Sequence, residues 1–73
     1  MQVIDPGNIA EVFFDVVHEV KIVGGIVRIA LVLRQDGTGV IVARLATPLS
    51  ELPDIIQALV IALTNAAKSP PVP

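Results

Sequence analysis

His18 is the one histidine in a chain of 73 residues, and it is the side chain best suited to moving protons near neutral pH. The serines are Ser50 and Ser69. Ser50 stands where a helix cap is expected and Ser69 in the proline-rich end, so no nucleophile, base and orienting group can be assembled from them. Asp15 and Glu19 have a spacing that puts both on one face of a strand, where two carboxylates could share a proton. Basic residues on the neighbouring strands make ion pairing their expected role. A metal site needs several converging ligands, and His18 and Glu19 point to opposite faces of a strand. Gly24-Gly25 and Gly37-Thr38-Gly39 are glycine-rich, but each joins strand to strand, whereas a phosphate cradle requires a helix N-terminus after the glycines. No catalytic, cofactor-binding or metal-ligating residue is assigned on these grounds. The chain is read as a non-enzyme without a cofactor, with His18 in a structural role.

Lys21, Arg28, Arg34 and Arg44 are four of the five basic residues, and period-two alternation sends all four to one sheet face. An anion or nucleic acid is one conceivable ligand for that face. Sheets that bind RNA stack bases on several aromatic side chains, however, and Phe13 alone is available here. A net charge of −2 also argues against bulk attraction to a polyanion.

The composition points instead to association. Hydrophobic residues make up 53% of the chain, more than a domain of this size hides alone. Val and Ile supply 21 of the 73 residues, which favours sheet. Cysteine is absent, which removes disulfides, thiolate chemistry and cysteine-based zinc sites, and leaves self-association as the usual stabiliser of a small domain. Met1 to Asp5 lacks the basic and apolar regions of a signal peptide. The longest uncharged stretch, 55–67, is too short to span a bilayer, which needs about 20 apolar residues. A cytoplasmic or virion-associated setting is expected.

The whole chain, 1–73, is read as a single domain: an arm and turn over 1–8, a β-meander over 9–47, a helix over 48–68 and a proline-rich tail over 69–73. Asp5-Pro6-Gly7-Asn8 predicts a turn, with Gln2 to Ile4 as a possible extra edge strand. Glu11 to Val23 alternates strictly, with Val12, Phe14, Val16, His18, Val20 and Ile22 facing inward. Gly24-Gly25 predicts a type I′ turn that pairs Val23 with Ile26, Val20 with Ile29, His18 with Leu31, Val17 with Val32 and Asp15 with Arg34. The second strand then runs to about Gln35. Asp36-Gly37-Thr38-Gly39 predicts a turn with Gly39 in a left-handed bulge position. The third strand covers Val40 to about Ala46, with Ile41, Ala43 and Leu45 inward. Ser50 is the expected N-cap of a helix with Pro53 in its first turn. Leu52, Ile55, Ile56, Leu59, Ala62, Leu63 and Ala66 share its apolar face. The fold class is α+β: a three-stranded antiparallel meander with one C-terminal helix packed across its inner face.

Such a helix covers one face only. The other would show Phe13, Val17, Ala30, Val32, Val40 and Val42 inside a charged rim, and Ile61 stands apart on the polar side of the helix. An apolar centre with a charged rim is the anatomy of an interface. These seven residues are the candidate contact surface. Val32→Glu is expected to weaken assembly without unfolding the chain, and Leu31→Glu to unfold it.

The chain resembles a group of small uncharacterised bacterial proteins. Their signature is a hydrophobic strand with an F-x-x-D-F-like element, then a strand that ends in Ser/Thr-Pro and enters a helix with an Ala-Leu pattern. The matching pieces are Phe13-Phe14-Asp15-Val16, then Val40 to Pro48, then Ala58-Leu59. The resemblance implies a small strand-rich domain and carries no catalytic residues across.

The function expected is a homo-oligomeric structural or scaffold protein, of bacterial or phage origin, assembling through the outer sheet face or an edge strand. The second reading is an adaptor that binds another protein on that face or by adding a strand.

Overall fold

The computed structural model describes residues 1–68; the proline-rich tail expected over 69–73 lies outside them. Strands β1 (Val16–Val23), β2 (Ile26–Gln35) and β3 (Thr38–Pro48) form one antiparallel sheet in the order β1-β2-β3. A short 3-10 turn, Leu49–Glu51, leads into helix α1 (Leu52–Lys68). The α+β meander with a C-terminal helix is therefore the architecture.

Both hairpins close on two-residue turns. Gly24 and Gly25 have φ of 59° and 74°, the left-handed pair of a type I′ turn, and Val23 lies opposite Ile26 as expected. Asp36 and Gly37 have φ of 50° and 80°, so the second turn is also a tight I′ turn. It is not the wider one expected, and Gly39 lies in β3 opposite Arg34 rather than in a left-handed bulge. Asp tolerates the left-handed region better than most residues, and the tight turn adds the pairing of Gln35 with Thr38. Gly39 is needed for space, because a Cβ there would sit 2.9 Å from Val32 Cγ1.

Strand β1 starts at Val16 rather than at Glu11. The Asp15 carboxylate is the reason. Its Oδ1 accepts the Arg34 backbone N–H at 3.1 Å, and Oδ2 accepts Arg34 Nε at 3.3 Å, while the Asp15 N–H donates to the Val32 carbonyl at 3.0 Å. A side chain takes the hydrogen bond that a continuing ladder would use. The expected turn at Asp5 is present, with the Gly7 N–H donating to Asp5 Oδ1 at 2.8 Å, but residues 2–4 form no edge strand.

Two β-bulges flank the same point of β2. On one side His18 is the extra residue between Val17, opposite Leu31, and Glu19, opposite Ala30. On the other, Val42 is the extra residue between Ala43, opposite Leu31, and Ile41, opposite Val32. Directly opposed residues share a face, and each extra residue exchanges the faces beyond it. One face carries Ile22, Val20 and Val17 from β1, Val27, Ile29, Leu31 and Leu33 from β2, and Leu45, Ala43 and Val40 from β3. This is the inner face. The outer face carries Lys21, Glu19 and Val16, then Arg28, Ala30, Val32 and Arg34, then Ala46, Arg44 and Ile41.

The core is very small. Among the described residues Val27, Leu31 and Val32 are buried, and all three belong to the central strand. Helix α1 does not cover the sheet: it has no buried residue, and every position after Leu52 is exposed. The expectation of a helix packed on the inner face is corrected here. Its cause is the connection. Pro48 still pairs with Ile26, and the next N–H, that of Leu49, donates to the Gly25 carbonyl at 2.8 Å. That carbonyl satisfies the first helical donor, and no side chain caps the turn, so Ser50 is not the N-cap. With only the 3-10 turn Leu49–Glu51 between β3 and the helix, α1 leaves the sheet instead of folding back over it. The radius of gyration is 15.3 Å, whereas a compact chain of this length has about 11 Å.

Candidate interaction surface

Corrected for the bulges, the candidate contact residues scatter. Ala30 is half-buried on the outer face, and Val32 shares that face but is only 7% exposed. Val17 and Val40 lie on the inner face, opposite Leu31 and Leu33. Val42 is the unpaired bulge residue and half-buried. Phe13 precedes β1 and is exposed, and Ile61 is exposed on α1. The structure does not gather these seven into one outer patch. A bulge has no signature in period-two alternation, and two of them reverse the facing of Val16, Val17, Val40 and Ile41, while Phe13 is displaced because β1 starts only at Val16. Because Val32 is buried, Val32→Glu would unfold the chain much as Leu31→Glu would, not leave it intact.

The outer face is mainly a charged surface. Lys21 Nζ lies 3.0 Å from Glu19 Oε1, and Lys21 is directly opposite Arg28. The small side chains of Ala30 and Ala46 leave a shallow depression among Glu19, Lys21, Arg28 and Arg44. Arg34 stands apart, at the other end of the sheet, held by Asp15 at 3.3 Å. Three of the four basic residues expected on this face thus converge, and the fourth is engaged elsewhere. Phe13 lies outside the strands, so the depression has no aromatic platform. His18 sits in the β1 bulge and is exposed, not on a covered core face as expected. Among the described residues no three His, Asp or Glu side chains are gathered as a metal site would require, and no helix is long and apolar enough to cross a membrane.

The inner face is the larger apolar surface. Val17, Val20 and Ile22 of β1 are each 54% exposed, Leu45 of β3 is 51% exposed, and Val40 is exposed as well. Helix α1 presents a matching surface. Leu52, Ile55, Ile56, Leu59, Val60, Leu63 and Ala66 fall within an arc of about 140° at 3.6 residues per turn. Asp54, Gln57, Thr64 and Lys68 occupy the opposite side. Leu59 and Leu63, central to the apolar arc, are among the most exposed side chains of the helix. Sequence reasoning found both surfaces and paired them within one chain. The signal against that pairing was the short span from Pro48 to Pro53, which leaves little chain for a reversal.

Among the described residues the arrangement offers exposed apolar surfaces on the inner sheet face and on α1. Comparison with protein-family models, with curated proteins and with solved structures finds no match.

Proposed function

We propose that this chain is a non-enzymatic, self-assembling structural or scaffold protein whose working form is a homo-oligomer. One observation carries the reading: exposed aliphatic residues of β1 and β3 on the inner sheet face and an exposed apolar helix face stand in the same chain, beside a core of three buried residues. The exposed surface totals 6530 Å², against about 4,300 Å² for a compact protein of 7.7 kDa. Part of the surplus of roughly 2,200 Å² comes from residues 1–15, which are all exposed ahead of β1, and the rest from the open sheet and helix faces. The interface expected on the outer sheet face belongs on the inner face in this account, because the outer centre is charged at Glu19, Lys21, Arg28 and Arg44. A cytoplasmic or virion-associated setting and a bacterial or phage origin belong to the same reading. The absence of cysteine suits it, since small domains outside oxidising compartments lack disulfides as a stabiliser.

The open edges of β1 and β3 favour a second reading, an adaptor that accepts a strand from another protein. Light scattering on the purified chain separates the two. A scaffold has a multiple of the 7.7 kDa chain mass by itself, whereas an adaptor stays at the chain mass until its partner is added.

A further inference from the structure

We propose that two copies exchange helices, α1 of each lying across the inner sheet face of the other. This deepens the self-assembly reading and rests on it.

Four observations lead to it. First, the inner face exposes Val17, Val20, Ile22, Val40 and Leu45 around the buried Val27 and Leu31, α1 exposes every residue after Leu52, and both belong to the same chain. Second, the connection as it stands carries α1 away from its own sheet. Pro48 is held in register with Ile26, the Leu49 N–H is bonded to the Gly25 carbonyl, and the helix starts within a few residues of both anchors. Short, rigid connections of this kind favour exchange between copies over closure within one. Third, the lengths match. Helix α1 has 17 residues and spans about 25 Å. The stretch of β3 from Val40 to Leu45 and the paired part of β2 lie well within that reach. Fourth, a two-fold exchange buries both apolar faces of both copies at once, which a sheet-to-sheet or helix-to-helix contact does not.

The occupant is therefore a second copy of this chain, and its helix face is the contacting element. Residues central to the contact are Val20, Ile29 and Leu45 on the sheet, and Ile56, Leu59 and Leu63 on the helix. The polar side of α1, with Gln57 and Thr64, would remain outward.

The chain lacks cysteine, so introduced thiols are unique. Leu45→Cys and Leu59→Cys, both at exposed positions, are refolded together as an equimolar mixture and treated with a short bismaleimide. Val20→Cys with Leu63→Cys serves as a second pair. Exchange predicts a covalent sheet-to-helix heterodimer at twice the chain mass. It also predicts that the Leu45→Cys, Leu59→Cys double variant links between chains rather than within one. A dimer by sedimentation that cross-links only sheet-to-sheet or helix-to-helix overturns the exchange and leaves self-assembly standing. A monomer by sedimentation whose double variant links within the chain overturns both. A flexible Gly/Ser insert of six residues between Pro48 and Leu49 gives an independent check. Exchange predicts that it permits closure in cis and shifts the protein toward the chain mass, and an unchanged dimer speaks against exchange.

Discussion

Val27 is the residue on which the folded strand arrangement rests most heavily, since it is the only described side chain with no exposed surface. Val27→Ala removes two buried methyl groups and leaves a void, so it should cost about 2 kcal/mol. Ile61→Ala, at an exposed helix position outside the apolar arc, should change stability by less than about 0.5 kcal/mol. Urea unfolding of both variants at one fixed protein concentration measures the contrast. The glycines divide in the same way. Gly25→Ala forces a Cβ onto a residue at φ 74° and should lose about 1 kcal/mol. Gly24→Asn creates the Asn-Gly pair that type I′ turns prefer and should be neutral or mildly stabilising. Gly39→Ala differs from both, because its φ is ordinary and the obstacle is Val32 at 2.9 Å. Val32 is stiff and buried, so overpacking there should cost on the order of 1–3 kcal/mol. Thermal denaturation of the three glycine variants orders them.

At the scale of elements, the strands and the helix were legible because their signals are local. The double glycine between Val23 and Ile26 named its turn, and the arc from Leu52 to Ala66 named the helix face. Three features were not legible, for one shared reason: each depends on a contact distant in sequence. The bulges at His18 and Val42 appear only when β1 and β3 are laid against β2. Asp15 was expected opposite Arg34, but not that its carboxylate would take the Arg34 backbone N–H and so delay the start of β1 to Val16. The start of the helix depends on the Gly25 carbonyl, which stands in for the side-chain cap expected from Ser50. The candidate contact residues were displaced by the same bulges, whereas Lys21, Arg28 and Arg44 kept their place on the outer face. Helix α1 carries its own expectation. An isolated helix of this length is marginal in water. Its amides from Ile55 to Ala66 should therefore be protected from hydrogen exchange in the assembled protein, and should lose protection on dilution below the dissociation constant. Exchange measured by mass spectrometry at high and low concentration compares the two states. Equal protection at both would show that the helix is stabilised without a partner.

At the scale of the whole molecule, the chain divides its surfaces by chemistry. The outer sheet face holds Glu19, Lys21, Arg28 and Arg44, and the inner face and helix hold the exposed aliphatic residues. Solvation suits the first and burial the second. Leu45→Glu places a charge in the centre of the proposed contact, at a position exposed in the single chain. It should weaken association at least tenfold while the strands remain folded by circular dichroism. Arg44→Glu, one residue away and on the outer face, should leave association within about twofold, the range of a surface charge change. An equal effect of the two would place the contact elsewhere on the sheet.

The most direct measurement is sedimentation velocity on the unmodified chain from nanomolar to hundred-micromolar concentration. The account predicts a species of at least twice 7.7 kDa that persists at micromolar concentration. A folded species at the single-chain mass throughout that range would contradict it.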